Sequence, residues 1–520
     1  MQSRALRPTV ALALIGFSLL FGLLLAGARA IQKDNAAFFS VSGKSYGAPS
    51  QAAALSGTPP AARMPAVNPP GGPTPTPDAL HPLPTIRGKA EQYVVEVGDT
   101  LAKIAQKYGV SVQQLIQANN LANPDIVEVG RTLDIPAPSP QNPGPAFKII
   151  PDSELVRGPA SADFDIAAFA QQAGGYLASY QEEVDGEMLS GPQVIERVAE
   201  DFSVNPRLLL AVLEYQSSWV TKQGGQNSNY PAGLRDPSRK GLYRQMAWAA
   251  NSLNRGFYVW RVNGAATWLL ADDSVVPIAP TINAGTAGVQ QFFASLDDLQ
   301  TWLQAVSPEG LFATYEALFG YPFGYAVEPL IPAGLKQPTF QLPFQAGEVW
   351  SFTGGPHAGW ADGSAWAALD FAPPGDALGC VKSDAWVVAM ADGVIVRTGN
   401  GEVIQDLDTP AAKADGIEQT GWVILYMHIE SRDRVQPGTR LKAGDRIGHP
   451  SCEGGVSTGT HTHIGRRYSG EWVPADQDLP FVMDGWVSHG SGGEYDGYLE
   501  RNGQTIEAYA GRSEANGIQR

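Results

Sequence analysis

The sequence predicts a multidomain protein: a small βααβ module, a mostly helical middle domain and an antiparallel all-β C-terminal domain. Its 520 residues exceed what a single hydrophobic core usually holds. Pro-rich stretches at 47–88 and 135–145 are typical of linkers. Near residue 345 the apolar residues change from helical spacing to strand alternation. The expected parts are an apolar leader (1–30), a Pro-rich disordered tether (31–90), the βααβ module (91–137), a linker (138–154), the helical domain (155–342) and the β domain (343–510).

The charge of the chain limits its class of partner. The formal net charge is −16 at pH 7. Binding to nucleic acid requires clustered positive charge, so the composition argues against a nucleic-acid partner. For the same reason we expect no strong attraction to anionic membrane surfaces.

The first thirty residues are typical of an export signal. Arg4 and Arg7 precede an apolar run, which ends in the small-residue sequence "ARA" at Ala28–Ala30. The run is also long enough to span a bilayer, so an uncleaved membrane anchor is the alternative to a cleaved leader. Both interpretations place the rest of the protein outside the cytoplasm, either secreted or tethered to the membrane.

Only two cysteines occur, Cys380 and Cys452. An even number of cysteines in an exported chain predicts a disulfide. Two buried free thiols are the alternative.

The module at 91–137 has recognisable element signals. Tyr93–Val97 alternate like a strand, and "LAKIAQKY" places its apolar residues on one face of a helix. Ser111 is a good N-cap for a second helix, and "DIVEVGRTLDIP" supplies a second strand. Together, "VGDTLAKIAQKYGV", "ANNL" and "NPDIVEVGRTLDIP" resemble a LysM module over its whole length.

The LysM resemblance implies binding to glycans that contain N-acetylglucosamine, such as peptidoglycan. The implied groove lies between two loops. Gly98 and Asp99 of the first loop also have a structural role, since they form the turn and cap the helix. The loops are Gly98, Asp99, Thr100 and Leu101, and Asn123, Pro124, Asp125 and Ile126.

Two segments of the middle domain, "NPRLLLAVLEYQSSW" and "TINAGTAGVQQFFA", resemble lytic transglycosylase or goose-type lysozyme domains. Those enzymes place a catalytic Glu directly before the Ser, whereas this chain has Gln216 there. Gln cannot protonate a glycosidic oxygen, and Glu214 is expected to point off that helix face. We therefore expect a non-catalytic glycan-binding or spacer domain, or else an unrelated helical domain.

The C-terminal domain contains "GTHTH". On a strand, His461 and His463 would share one face, about 7 Å apart at Cα for a rise of ~3.3 Å per residue. Such a pair alone is weak evidence for a metal, because half-exposed strands carry similar pairs by chance.

Three further residues give the pair a context: His357 with Asp370 thirteen residues later, and His428 among apolar residues on a predicted strand. Singly, they could be a turn residue, a strand-end cap and a buried histidine. In this order, with "DFAPPGDALGC", "LKAGDRIGHP" and "TGTHTHIG", they resemble zinc metallopeptidases of the lysostaphin and β-lytic family. Many members have the first His four residues before the Asp, where this chain has Trp366, so the longer spacing resembles the β-lytic branch.

The resemblance implies that His357, Asp370 and His463 bind Zn²⁺, whose fourth position stays open for water. It also implies that His461 orients or deprotonates the water, and that His428 stabilises the tetrahedral state or protonates the departing amine. The remaining histidines are expected to be structural or solvated: His81, His449 and His489.

The predicted function is that of a cell-wall hydrolase, a zinc endopeptidase that cuts peptidoglycan stem or bridge peptides and is targeted by its LysM module. The alternative is a catalytically inactive peptidoglycan-binding or regulatory protein that docks on the wall or activates a partner hydrolase.

Overall fold

The computed structural model describes residues 81, 83, 88–96, 99–121, 127–137, 143–409 and 413–520. The predicted leader and nearly all of the tether lie outside these residues, as do Gly98 and Asn123–Ile126 of the expected glycan groove. Within the described ranges, no helix combines the length and the apolar character that crossing a membrane requires.

The N-terminal module folds in the order β1, α1, α2, β2, which agrees with the predicted βααβ order. Its two strands pair antiparallel, with Tyr93 opposite Leu133. Ser111 caps α2 through a capping box with Gln114, which satisfies backbone N–H groups that the first turn leaves unpaired. The elements are β1 (Glu91–Val94), α1 (Leu101–Tyr108), α2 (Val112–Asn119) and β2 (Thr132–Ile135).

The middle domain consists of helices and two short β-hairpins. Its elements are α3 (Ile166–Ala173), β3 (Gln181–Val184), β4 (Glu187–Ser190), α4 (Gly191–Phe202), α5 (Pro206–Ser217), α6 (Leu242–Arg261), β5 (Thr267–Leu269), β6 (Val275–Pro277), α7 (Ala284–Ala294), α8 (Leu299–Ala305) and α9 (Ala313–Phe319). His81, within the predicted tether, stacks on Trp260 of α6 with ring centroids 4.1 Å apart.

The C-terminal domain is built from antiparallel strands, which confirms the predicted all-β character of this region. Its strands are β7 (Val349–His357), β8 (Ala368–Ala372), β9 (Val387–Val388), β10 (Gly393–Gly399), β11 (Glu402–Leu407), β12 (Trp422–Met427), β13 (Arg440–Leu441), β14 (Arg446–Gly448), β15 (Thr462–Tyr468), β16 (Glu471–Trp472), β17 (Val482–Met483), β18 (Trp486–Gly490), β19 (Gly497–Arg501), β20 (Gln504–Glu507) and β21 (Gly517–Gln519). The main sheet has the order β13-β10-β11-β12-β15-β8-β7-β21, and β16 pairs with β15.

The main sheet is buried on both faces, and its central strand β12 is apolar throughout. In β12, Val423, Leu425 and Met427 belong to the core shared with the middle domain. The alternate residues Ile424 and Tyr426 belong to the core on the opposite face. The middle domain therefore covers one face of the main sheet.

A buried cluster of charges joins the middle domain to the sheet. Arg397 of β10 is only 16% exposed and forms ion pairs with Glu402 and, at 3.2 Å, with Glu418. It also lies 3.8 Å from Glu200 and 3.7 Å from Asp201, both on α4 of the middle domain. One guanidinium thus balances carboxylates from both domains.

A disulfide joins Cys380 to Cys452, with a Cα–Cα distance of 5.7 Å. This confirms the predicted bridge over two free thiols. The bridge joins the loop after β8 to the loop that precedes β15. His461 is the last residue of that second loop.

Replacing Arg397 should strongly destabilise the joined domains. Arg397→Met keeps most of the side-chain volume but removes the cation that pairs with the buried Glu402 carboxylate, so we expect the free energy of unfolding to fall by about 3–5 kcal/mol. Urea unfolding followed by tryptophan fluorescence measures the change. Arg440→Met is the control: Arg440 is half-exposed and pairs with Asp408, so its loss should cost less than about 1 kcal/mol. Equal effects of the two variants would contradict the assigned role of the buried cluster.

Candidate metal centre

Strand register brings the predicted metal ligands together. In the pairing of β15 with β8, His463 lies directly opposite Asp370. His357 ends β7, the next strand of the sheet, and pairs with Ala368. Three adjacent strands therefore each contribute one of these side chains at the same edge.

The side-chain atoms of the three residues converge. His357 Nε2 lies 2.9 Å from His463 Nδ1 and 3.3 Å from Asp370 Oδ1. His463 Nδ1 lies 3.1 Å from the same carboxylate oxygen. In these three residues, the atoms that could bind a metal ion all lie within 4.8 Å of one another.

Main-chain carbonyls determine which ring nitrogen faces the trio. The Gly355 carbonyl lies 2.8 Å from His357 Nδ1, and the Gly359 carbonyl lies 3.1 Å from His463 Nε2. Because a carbonyl oxygen only accepts, the nitrogen facing it must carry the hydrogen and donate. When these rings are neutral, the lone pairs of His357 Nε2 and His463 Nδ1 therefore point toward Asp370.

This donor set fits a divalent metal ion. Two imidazole lone pairs and a carboxylate, all largely buried, converge on one point. A cation there would satisfy all three groups, and each histidine already donates its other N–H to a carbonyl, as metal-bound histidines commonly do. Three protein ligands would leave one position of a tetrahedral site open.

The two remaining candidate histidines lie beside the trio. The His428 and His461 ring centroids are 4.4 Å apart. His461 Nδ1 donates to the Gly459 carbonyl at 2.8 Å, and its Nε2 lies 3.7 Å from Asp370 Oδ2. His428 Nδ1 donates to the Glu453 carbonyl at 3.1 Å. In both rings Nε2 is thus the nitrogen left to exchange a proton.

His428 does not lie within the strand on which the sequence placed it. It follows β12 by one residue and adopts a left-handed backbone with φ of 64°. This conformation is uncommon for a residue with a side chain and occurs often at functional sites. Here it ends the strand where the chain turns toward Ser451, whose N–H donates to the His428 carbonyl.

Burial and neighbouring charge set the protonation states. Burial, together with the nearby His461 and His463 rings, lowers the pKa of His428 to about 3, so this ring is neutral near pH 7. Burial on its own would raise the pKa of Asp370, but the adjacent His357 and His461 outweigh it and hold that pKa well below its usual range. Asp370 is therefore a carboxylate, the form that binds metals.

Two contributors to the site carried no signal in the sequence. The Tyr495 ring stacks on His357 with centroids 4.2 Å apart, from the loop between β18 and β19. The Gly359 carbonyl orients His463, and a Cβ at Gly359 would come within 2.6 Å of the Trp472 ring. Both contacts join distant parts of the chain, so no local spacing could have indicated them.

The loop that contains Gly359 is held by the middle domain. On α6, Asn251 donates to Asp362 at 2.7 Å and accepts from the Gly363 N–H at 2.8 Å. Arg255, one turn further along, pairs with Asp362 at 2.7 Å. The middle domain thus helps to position a carbonyl that contacts a candidate metal ligand.

The described part of the predicted glycan loop is mostly engaged within its own module. Asp99 accepts from the Tyr93 hydroxyl at 2.7 Å and from the Glu96 N–H at 2.8 Å. Thr100 accepts from the Lys103 N–H at the start of α1, and Leu101 packs in the core. The side chains of Asp99, Thr100 and Leu101 are therefore engaged within the module itself.

In the middle domain, Glu214 accepts hydrogen bonds from the N–H groups of Val220 and Thr221 and from the Thr221 hydroxyl. This carboxylate therefore holds the chain that follows α5. The arrangement gives Glu214 a structural task and leaves Gln216 at the position where the resembling enzymes have their acid.

The other histidines have structural contacts. His449 Nδ1 donates to the Ala385 carbonyl at 2.8 Å, and its ring packs on Trp386. His489 stacks on Tyr498.

Comparison with known families assigns two regions. Residues 93–136 match the LysM domain model, and residues 148–330 match the model described as LasA, N-terminal domain. The protease LasA of Pseudomonas aeruginosa is 23% identical over 303 residues, which cover 54% of this chain and 67% of that protein. The N-acetylmuramoyl-L-alanine amidase XlyA of Bacillus subtilis is 32% identical over 124 residues, 23% of this chain and 41% of that protein.

Solved structures with similarity include the M23 metalloprotease pseudoalterin from the deep sea. It is 24% identical, with 35% of this chain and 98% of that chain covered and a TM-score of 0.28. The catalytic domain of lysostaphin from Staphylococcus simulans is 24% identical, with 24% and 86% covered and a TM-score of 0.17.

Releasing the loop at Asp362 should weaken metal binding. In the double variant Asn251→Ala with Arg255→Ala, the Gly359 carbonyl is no longer held against His463, so we expect about tenfold weaker affinity for Zn²⁺. Competition with a chelating dye measures it. Arg244→Ala on the same helix removes only a bond to the Ser238 carbonyl and should leave the affinity unchanged. If the double variant binds as tightly as this control, the middle domain does not support the site.

Proposed function

We infer that this LysM-containing metallopeptidase of the lysostaphin type is a zinc endopeptidase that cuts the stem or bridge peptides of peptidoglycan. The LysM match, the LasA N-terminal domain match and the similarity to the protease LasA confirm the predicted recognition and enzyme class. The observation that carries the proposal is the convergence of His357, Asp370 and His463 at one edge of the sheet. Two buried imidazoles and a carboxylate are a donor set that suits zinc.

We assign the chemistry as follows. Bound zinc supplies a Lewis acid that polarises the scissile carbonyl and lowers the pKa of a water molecule. His461 Nε2 accepts the proton of the attacking water, since Nδ1 is committed to a carbonyl. His461 passes this proton to the free Nε2 of His428, with which its ring is in contact. The protonated His428 stabilises the tetrahedral state and then releases the proton to the departing amine nitrogen. The C–N bond then breaks to give a carboxylate and a free amino terminus.

The other regions localise the enzyme. The LysM module binds glycan strands and so raises the local concentration of peptide substrate without a new contact at the metal site. The disulfide fits an oxidising, extracytoplasmic location. We propose secretion with cleavage of the 1–30 leader; retention as a membrane anchor is the alternative, and that segment lies outside the described residues. We propose that the middle domain is non-catalytic.

The two histidines of "GTHTH" should fail in different ways. His463→Ala removes a ligand and should lose both zinc and activity. His461→Ala removes only the proton acceptor, so it should retain zinc and lose at least about a hundredfold in rate. Metal analysis by mass spectrometry and peptide release from purified peptidoglycan measure these effects.

His489→Ala is the control, because the His489 ring stacks on Tyr498 and lies 3.9 Å from Glu500, neither of which belongs to the candidate site. A wild-type protein that holds zinc but releases no peptide would support the inactive, regulatory alternative.

Digestion of peptidoglycan should create new amino termini and no new reducing ends. The middle domain has Gln216 where a glycosidase needs an acid, and Glu214 is engaged by three donors. Labelling of amines and of reducing sugars in the same digest separates the two activities. New reducing ends that vanish in Glu214→Gln would show that the middle domain cuts glycan.

A further inference from the structure

A pocket outside the metal centre lies where the LysM module meets the middle domain. Its volume is about 300 Å³. One wall is Ala102 and Lys103 of the LysM helix α1, and another is Trp248 and Ser252 of α6. Pockets at domain junctions with an aromatic wall and a few polar groups are typical ligand sites.

The LysM module is docked at this place by specific contacts. Leu269 of β5 packs against the core of the module and also lines the pocket. Ala102 and Lys103 directly follow the predicted glycan loop, and Thr100 of that loop accepts the Lys103 N–H at 3.1 Å. The pocket therefore continues from the described end of the loop.

The pocket has the chemistry of a sugar site. Trp248 is half-buried, one part of its ring packs on Phe292 with centroids 5.6 Å apart, and it presents an aromatic surface to the pocket. Within the described residues, its indole N–H donates to no protein acceptor, so it can donate to a ligand. The Ser252 and Ser295 hydroxyls, 3.4 Å apart, and Gln291 add polar groups beside the ring.

The same helix links the pocket to the metal centre. Trp248, Asn251, Ser252 and Arg255 lie three, four and seven residues apart, so they share one face of α6. Asn251 and Arg255 of that face hold Asp362, in the loop whose Gly359 carbonyl contacts His463. The pocket and the contacts to the C-terminal domain therefore share one face of α6.

We propose that this pocket is a second carbohydrate subsite, which binds an N-acetylated amino sugar of the same strand that the LysM module holds. Trp248 stacks on the sugar ring, and the polar groups beside it bind its hydroxyl or acetamide groups. The proposal rests on the proposed function, since the ligand is the glycan of peptidoglycan. It makes the middle domain part of substrate binding rather than a spacer.

The test uses the full chain and N-acetylglucosamine oligomers of two lengths, a trimer and a hexamer, with affinities from calorimetry. The wild type should bind the hexamer about tenfold more tightly than the trimer, because only the longer oligomer reaches both sites. Trp248→Ala should lose this difference while its trimer affinity stays within about twofold, and Trp248→Phe should restore much of it.

Two further variants separate the subsite from a general loss of fold. Ala102→Leu, at an exposed position, fills the pocket from the LysM side and should also abolish the length dependence. Trp386→Ala is the matched control: this half-buried tryptophan packs on His449 and Arg446 in the C-terminal domain and should leave both affinities unchanged.

The proposal is overturned if the wild type shows no length dependence, if Trp248→Ala retains it, or if Trp248→Ala weakens trimer and hexamer binding equally. Peptide release is measured separately on a soluble peptide. Length-dependent binding without peptide release would leave the subsite standing and remove the proposed peptidase activity. If the protein releases peptide but Trp248→Ala retains the length dependence, the proposed peptidase activity stands and the subsite is overturned.

Discussion

The register between β8 and β15 is the constraint on which the candidate site depends. Antiparallel pairing places His463 across from Asp370, and β12 on the other side of β15 places Met427 across from His463. Since side chains alternate between faces, a slip of one residue would turn His463 away from the carboxylate. Buried polar contacts of β15 help to fix this register, because a slip would separate Arg467 from Glu418, which it contacts at 2.8 Å in the buried interior.

The second face of the sheet is completed by the middle domain. Its core is continuous with Val423, Leu425 and Met427 of β12, and the ions around Arg397 bridge the two domains. Breaking a buried ion cluster leaves uncompensated charge, so the two domains are energetically coupled. The hydrogen bonds from α6 to Asp362 extend this coupling to the loop beside the metal centre.

Local sequence patterns predicted those features that depend on residues close together in the chain. The capping residue Ser111 and the alternation of His461 and His463 could be interpreted because helices and strands have fixed periods. Residue order within a resembling family predicted His357, Asp370 and His428 as a group, which spacing alone could not. Tyr495, Gly359 and the support from Asn251 remained hidden, since they act through contacts more than a hundred residues apart. The left-handed backbone at His428 was also missed, because its apolar surroundings are typical of a strand interior.

The carbonyls that orient the four histidine rings have a consequence for how this site can vary between species. A main-chain oxygen is present whatever the side chain, so the hydrogen bonds from His357, His428, His461 and His463 place no demand on residue type. Gly355 and Gly359 are instead constrained by space, because a Cβ would approach Asp496 or Trp472 within 2.7 Å. Substitutions at Gly355 and Gly359 should therefore be limited by side-chain volume, whereas the carbonyl contacts themselves set no requirement on side-chain type.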